Sequence, residues 1–91
     1  MFNVVYHHLV VREDISKLSF EWREKIKYAI EERLQTAPLL YGKPLRRSLK
    51  GYRKLRVGDY RVIFRIEKST VKIMIIRHRS VVYDEAIKRK F

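Results

Sequence analysis

The chain has 91 residues, with 22 Lys and Arg against 10 Asp and Glu, a formal net charge of +12, and no cysteine. A chain of this length builds one hydrophobic core, so we expect residues 1–91 to form a single domain. The lack of cysteine excludes disulfides, a thiol nucleophile and thiolate metal sites. The charge predicts a polyanionic partner such as nucleic acid. The N-terminus lacks a signal-peptide pattern and no apolar run approaches the ~20 residues of a membrane span, so we expect a cytoplasmic protein without membrane contact.

The N-terminal third predicts one strand followed by helix. Residues 2–10 are rich in Val, Tyr and Phe, which favour a strand. The apolar residues that follow recur at helical spacing and share one face; they are Ile15, Leu18, Trp22, Ile26, Ala29, Ile30 and Leu34. Ser16 and Ser19 are alternative N-caps. The pattern therefore fits either a short helix at 14–18 followed by a longer one at about 20–36, or one bent helix.

The middle of the chain predicts a break between helix and strands. Ala37-Pro38 ends the helix, because proline disfavours helical backbone in the residue before it. Residues 39–44 contain Gly42 and Pro44 and are interpreted as a loop. Residues 45–49 alternate poorly, so they fit either a short strand or irregular structure.

The second half predicts antiparallel strands. In residues 52–57 the apolar side chains alternate with basic ones, and Gly58-Asp59 has the pattern of a two-residue hairpin loop. The next strand, residues 60–66, alternates in the same way, so one face of the pair is apolar and the other basic. Residues 71–76 are apolar on both faces apart from one lysine, which is typical of an interior strand.

Residues 83–90 carry acids early and bases late, which favours a short terminal helix or tail. The fold class that follows is α+β. It comprises an N-terminal strand, a two-helix segment, three or four antiparallel strands in one sheet, and a short C-terminal helix or tail.

Basic residues converge on one part of this predicted sheet. They are Lys54, Arg56 and Arg61 on the hairpin, and Arg77 and Arg79 at the end of the last strand, with Tyr83 beyond. Lys, Arg and Tyr side chains are suited to bind a phosphate and to move protons during RNA cleavage. Each arginine is equally well explained as a solvent-facing strand residue. Lys54 also fits a simple phosphate-binding charge, and Tyr83 fits an amphipathic residue covering the core.

Two segments, residues 52–64 (YRKLRVGDYRVIF) and 76–83 (IRHRSVVY), resemble the characteristic segments of the RelE/ParE superfamily of toxins from type II toxin–antitoxin systems. Together with the strand–helix order, the resemblance covers nearly the whole chain. It implies a RelE-like toxin, normally held by an acidic antitoxin protein. The RelE branch is favoured over the ParE branch, whose members act on DNA gyrase, because Lys54, Arg61 and Tyr83 are all present.

The resemblance to RelE implies roles for particular residues. Lys54 is the candidate general base or charge stabiliser, Arg61 and Arg77 would hold the scissile phosphate, and Tyr83 would stack on or orient a base. Further RNA contacts are expected from Arg53, Arg56, His78 and Arg79. The RelE pattern has a lysine two residues before the one matching Lys54, whereas this sequence has Tyr52.

The histidines give weaker evidence for a catalytic or metal-binding role. Some members of the superfamily use a histidine as acid or base, but strand alternation places His78 on the face opposite Arg77 and Arg79. His7 and His8 are adjacent, so a regular strand does not point both into one pocket, and no carboxylate motif at metal-ligand spacing lies nearby. We therefore expect no metal ion and no cofactor.

The function that the resemblance implies is a metal-independent, ribosome-dependent endoribonuclease that cleaves mRNA and inhibits translation. Its partners would be the antitoxin, mRNA and the ribosome, with no small-molecule cofactor. Two alternatives remain open at this point: a ParE-like inhibitor of DNA gyrase without catalysis, and a basic RNA-binding module.

Overall fold

Five strands form one mixed sheet in the computed structural model, which describes residues 1–89. The strands are β1 (Asn3–Tyr6), β2 (Lys43–Pro44), β3 (Arg53–Val57), β4 (Tyr60–Glu67) and β5 (Thr70–His78), in the spatial order β1-β5-β4-β3-β2. β1 runs parallel to β5, and the other neighbouring pairs are antiparallel. The α+β fold class and the antiparallel order of the later strands are confirmed.

Helical turns of several kinds lie between β1 and β2. They are a π turn (Val10–Asp14), a 3-10 turn (Ile15–Lys17), α1 (Phe20–Ala29), a second π turn (Ile30–Leu34) and α2 (Pro38–Tyr41). Ser19 is the N-cap of α1, because its Oγ accepts the Trp22 N–H at 3.3 Å. The other candidate cap, Ser16, instead donates its hydroxyl to the Glu13 carbonyl at 2.8 Å. The two-helix interpretation is therefore the better one.

Three predicted boundaries are wrong. The first strand was expected over residues 2–10, but it ends at Tyr6, where the His7 side chain accepts the Leu9 N–H and the chain turns into helix. The helix expected to about residue 36 leaves the α-helical pattern after Ala29 and continues as a π turn. The loop expected at residues 39–44 instead contains most of α2 and all of β2.

Pro38 explains part of the last error. It does not only end the preceding helix; it is also the first residue of α2, where its missing N–H costs no hydrogen bond. Residues 45–49 contain a 3-10 turn (Arg47–Leu49) and no strand. The C-terminal helix, α3 (Val82–Lys88), confirms the predicted terminal helix, although Lys90, in the range expected for it, lies outside the described residues.

Hydrophobic side chains pack on both faces of the sheet. On the α1 face, the predicted apolar helix stripe packs on residues of the central strands; the buried members are Val10, Leu18, Ile26, Ala29, Ile30, Leu34, Leu55, Val62, Phe64, Val71, Ile73 and Ile76. On the opposite face, here called the α3 face, a smaller cluster contains Leu49, Ile63, Met74, Ile75, Val82 and Ala86. α3 therefore covers only part of its face, and the rest is left for polar side chains.

A bulge in β5 determines which residues reach the α3 face. Ile63 pairs with Ile75, but the next residue of β4, Phe64, pairs with Ile73, so Met74 is the extra residue. Consequently Ile73 packs on the α1 face and Ile75 on the α3 face, although strict alternation would place both on one face. The bulge thereby brings the end of β5, including Arg77, to the α3 face.

The predicted hairpin at Gly58-Asp59 is confirmed, since Val57 pairs with Tyr60 across a two-residue loop. Gly58 has φ +57°, and a Cβ added to it would collide with the Trp22 ring. We expect Gly58→Ala to lower the free energy of unfolding by about 2–4 kcal/mol, from left-handed strain and overpacking combined. Urea unfolding followed by circular dichroism measures this change.

Gly51→Ala is the matched control for that substitution. Gly51 also has positive φ, +94°, but no atom lies within 4 Å of its added Cβ. Its alanine variant should therefore lose only the conformational part, about 1 kcal/mol. Equal losses in the two variants would show that the contact between Trp22 and Gly58 is not tight.

None of the helices formed by residues 1–89 combines the length and apolar character needed to cross a membrane.

Candidate functional site

Basic residues form two rows across the exposed part of the α3 face. In one row Arg61 on β4 lies between Arg56 on β3 and Arg77 on β5, each pair being directly opposite in register. In the next row Lys54 on β3 lies opposite Lys43 on β2. Like charges directly opposite each other destabilise a sheet, so these rows are not explained by stability.

Four of these cations line a groove together with an aromatic ring. The cationic groove has a volume of about 160 Å³, and its lining residues are Tyr41, Lys43, Lys54, Arg56 and Arg61. Within residues 1–89, none of these four cations forms an ion pair with a carboxylate. An uncompensated cluster of this kind attracts anions, and phosphate groups in particular.

Two contacts order the side chains of the groove. Arg61 Nη1 donates hydrogen bonds to the carbonyl oxygens of Gly58 and Tyr60, both at 2.9 Å, so its guanidinium is held beside the hairpin. Lys54 Nζ lies 5.7 Å from the centroid of the Tyr83 ring. Tyr83 belongs to the first turn of α3, so the start of α3 lies beside Lys54.

Arg77 is near the groove but is held by carboxylates. Its Nε donates to Asp14 Oδ1 at 2.7 Å, its Nη1 lies 3.0 Å from Glu85 Oε2, and its Nη2 lies 3.7 Å from Glu13 Oε1. Arg77 is not among the residues lining the groove. In this structure its guanidinium serves an internal network, and an approach to a phosphate would require at least one of these contacts to open.

Asp14 is the centre of that network. It is buried, and besides Arg77 it accepts the backbone N–H of Ile76 at 2.9 Å and two hydrogen bonds from Arg89, at 2.7 and 3.0 Å. Burial by itself raises the pKa of Asp14, but the hydrogen bonds from Arg89, Ile76 and Arg77 outweigh it and hold the pKa below its ordinary value. Because Arg89 follows α3 directly, this network fastens α3 to the sheet.

The other predicted RNA contacts are dispersed. Arg53 is not part of the groove, and its Nη1 donates to the Gly42 carbonyl at 2.8 Å. His78 is exposed, and its ring lies 5.6 Å from that of Tyr60, whose α1-face position agrees with the expected separation of His78 from Arg77. Arg79 is exposed near Asp59, with 3.9 Å between Nε and Oδ1. Of the predicted residues, the structure brings together Lys54, Arg56, Arg61 and Tyr83.

Sequence reasoning missed four residues that matter here. Tyr41 and Lys43 were assigned to a loop, and no local pattern indicated that Lys43 pairs with Lys54. The sequence analysis assigned no role to Asp14 or Arg89, which lie 75 residues apart and form a buried pair. The rings of His7 and His8 stack at 4.4 Å, and in the described part of the chain no group of three His, Cys, Asp or Glu side chains is arranged to hold a metal ion.

Comparison with known families identifies the family to which the chain belongs. A family model described as the ParE toxin of type II toxin–antitoxin systems (parDE) matches residues 7–83. The chain belongs to this toxin family. It is thus a toxin of the RelE/ParE superfamily, and the matched span includes β3, β4, β5 and the beginning of α3.

Individual relatives of this toxin family agree with that assignment. The toxin RelG of Mycobacterium tuberculosis is 46% identical over 52 residues, a match that covers 55% of this chain and 60% of RelG. A chain of the RelBE2 toxin–antitoxin complex from the same organism superposes with a TM-score of 0.80 and 33% identity, covering 87% of this chain and 92% of that one. The isolated Escherichia coli RelE toxin shares the fold, with a TM-score of 0.70, 23% identity and 98% coverage of both chains.

Proposed function

We propose that this toxin cleaves mRNA on the ribosome, with the scissile phosphate held in the cationic groove. The observation that carries the proposal is the groove itself, which Lys43, Lys54 and Arg61 line together without a carboxylate partner among the described residues. The similarity of this chain to RelG and to a chain of the RelBE2 complex supports the same proposal. A groove built only for stability would carry compensating acids.

The reaction proposed is internal transfer within RNA. The 2′-oxygen attacks the phosphorus and loses its proton, the bond from phosphorus to the 5′-oxygen breaks, and that oxygen gains a proton. The products are a 2′,3′-cyclic phosphate and a 5′-hydroxyl. Lys54 acts on the 2′-hydroxyl as base or charge stabiliser, and Arg61 stabilises the negative charge that develops on the phosphorane.

Lys43 takes the place of the lysine that the RelE pattern would have at Tyr52. Tyr52 packs beside the core of the α3 face and does not line the groove. Lys43, opposite Lys54 in register, brings a second ammonium group into the groove from β2 instead. In this proposal it donates the proton to the leaving 5′-oxygen, so the set of charges is retained although one lysine of the pattern is absent.

Induced expression tests the proposal directly. We expect growth arrest and, in primer extension, breaks in transcripts that occur in phase with codons. Those breaks should carry 5′-hydroxyl ends. Such ends can be ligated only after polynucleotide kinase has added a phosphate to them. Arrested growth with intact transcripts would contradict the nuclease proposal.

A gyrase inhibitor without catalysis is the second candidate, because the matching family model is that of the ParE toxin. It predicts intact transcripts, stalled replication and inhibition of DNA supercoiling by the purified protein. Because this candidate involves no catalysis, Lys54→Ala is not expected to abolish the inhibition by removing a reactive group. The end chemistry of the transcripts and the supercoiling assay therefore separate the two candidates.

We also infer an acidic antitoxin partner. The net charge of +12 favours an acidic protein. Similar chains have been solved in toxin–antitoxin complexes, including RelB–RelE of Methanococcus jannaschii and YoeB–YefM of Staphylococcus aureus. Co-expression of such a partner should relieve the growth arrest, and raising the salt concentration should weaken the complex.

A further inference from the structure

Trp22 packs on the α1 face, on the other side of the sheet from the cationic groove, and its indole ring contacts the turn between β3 and β4. The ring lies so close to Gly58 that a Cβ on this residue would collide with it. The ring also packs against Tyr60, with 4.8 Å between the two ring centroids. Trp22 therefore contacts the turn at two of its residues.

The same two residues hold Arg61. The carbonyl oxygens of Gly58 and Tyr60 each accept a hydrogen bond from Arg61 Nη1, at 2.9 Å. In the part of the chain that the structure describes, no carboxylate pairs with Arg61. Its neighbours across the sheet, Arg56 and Arg77, carry the same charge. The backbone of the turn therefore fixes the position of this guanidinium in the groove.

The turn depends on packing to keep one conformation. Gly58 has φ +57°, and glycine changes backbone conformation more readily than other residues do. A carbonyl on such a residue keeps its direction when neighbouring groups restrict the backbone, and the Trp22 ring provides this restriction. Trp22 is itself held, because its backbone N–H donates to Ser19 Oγ at 3.3 Å and its side chain packs against the core. The ring is therefore a firm support for the turn.

We propose that Trp22 is a positioning residue for the cleavage reaction, and that it acts from the opposite face of the sheet by holding Arg61 through the turn. The inference rests on the proposed function, since it assigns Trp22 to the same reaction as Arg61. A group that stabilises developing charge has to be in place before the charge appears, and a misplacement of about 1 Å can slow a reaction by about 100-fold. Trp22 therefore contributes to cleavage without contacting the RNA.

A double-mutant cycle between Trp22 and Arg61 tests this coupling. The cycle compares Trp22→Leu, Arg61→Ala and the double variant by their single-turnover rates of mRNA cleavage on purified ribosomes. We expect Trp22→Leu to slow cleavage by about 5- to 50-fold in the parent, but by less than about twofold when residue 61 is already alanine. A general loss of folded protein would act in both backgrounds. Equal slowing in the two backgrounds would therefore overturn the proposal.

Further variants separate positioning from core packing. Trp22→Phe keeps an aromatic ring on the turn and should retain most of the rate. Ile30→Val removes one methyl group from the same core, in the π turn after α1, and should leave the rate per folded molecule unchanged. Gly58→Ala pushes the turn against the Trp22 ring and should slow cleavage more than Gly51→Ala does. Equal rates for the folded forms of the two glycine variants would contradict the proposal.

A measurement without catalysis separates this inference from the nuclease proposal. The side-chain N–H signals of Arg61 in NMR spectra, assigned by their loss in Arg61→Ala, report how firmly the guanidinium is held. We expect slow exchange with solvent in the parent and faster exchange in Trp22→Leu. Faster exchange in that variant, with no mRNA cleavage by the parent, would support the positioning and reject the nuclease. Cleavage by the parent, with unchanged Arg61 signals in Trp22→Leu, would support the nuclease and overturn the inference.

Discussion

Replacement of Lys54 by alanine is expected to slow ribosome-dependent mRNA cleavage by about 100-fold or more, and Arg61→Ala should do the same. Each substitution removes one charged contact to the reacting phosphate, and a single lost contact to developing charge typically costs this much. Both residues line the cationic groove. The rate of cleavage of a defined mRNA on purified ribosomes, under single-turnover conditions, is the measurement.

Lys54→Arg separates the two roles open to Lys54. If Lys54 acts by charge alone, the arginine variant should retain much of the cleavage rate. If Lys54 accepts a proton, the arginine variant should lose the activity, because arginine stays protonated. Lys43→Ala, across the groove, is expected to reduce cleavage as well, since it removes the second ammonium group.

Lys17→Ala is the charge-matched control. It removes one positive charge from the 3-10 turn before α1, outside the groove, and should leave the rate within about twofold of the parent because a remote exposed charge is largely screened. If Lys54→Ala and Arg61→Ala are folded and cleave as fast as the parent, the cationic groove is not the site of the reaction.

Asp14→Asn is expected to lower the free energy of unfolding by roughly 3–5 kcal/mol, the cost of leaving a buried cation unpaired. The side chains of Asp14 and Arg89 are 0% and 6% exposed, and their shortest N–O distance is 2.7 Å. Because total stabilities of small domains are only about 5–15 kcal/mol, this is a large fraction. Urea unfolding at neutral pH, followed by circular dichroism, measures it.

Asp59→Asn is the matched control, since it removes the same charge from an exposed pair. Asp59 and Arg79 have side chains 62% and 60% exposed and lie 3.9 Å apart. The expected loss is below ~1 kcal/mol. A similar small loss in Asp14→Asn would show that the buried network does not fasten α3.

The contribution of Asp14 should also depend on pH. Its pKa is held below the usual value of 3.8 in the folded protein, so its stabilising effect is fully present above that value. The effect is lost as the pH falls through the lower folded pKa, because the unfolded chain then binds the proton more readily. The difference in unfolding free energy between parent and Asp14→Asn should therefore shrink below about pH 4, and a constant difference from pH 2 to 7 would contradict this assignment.

Arg77→Ala is expected to differ from Arg61→Ala because Arg77 has contacts with both Asp14 and Glu85. It should lower stability as well as activity, whereas Arg61→Ala should lower mainly activity. The role of Arg77 in holding a phosphate, which the family resemblance implies, stays a prediction. Measuring unfolding and cleavage on the same preparation separates the two effects.

Local patterns in the sequence were sufficient for much of the fold. Alternation of apolar and basic residues placed Lys54, Arg56 and Arg61 on one face of β3 and β4, and the Gly58-Asp59 turn joined those strands in the predicted register. The apolar stripe of α1 followed from helical spacing. These features depend on neighbours a few residues apart, and such neighbours are visible in the chain itself.

The tertiary structure alone decided how the cationic groove is completed and held. Lys43 reaches Lys54 through the short strand β2, and the bulge at Met74 brings Arg77 to the α3 face. Asp14 pairs with Arg89 across 75 residues of sequence. Bulges and long-range ion pairs arise from the packing of whole elements, which local spacing does not encode. The sequence by itself therefore determined the family, the charge and the basic face, and the packing determined which of its cations stay uncompensated for an anionic ligand.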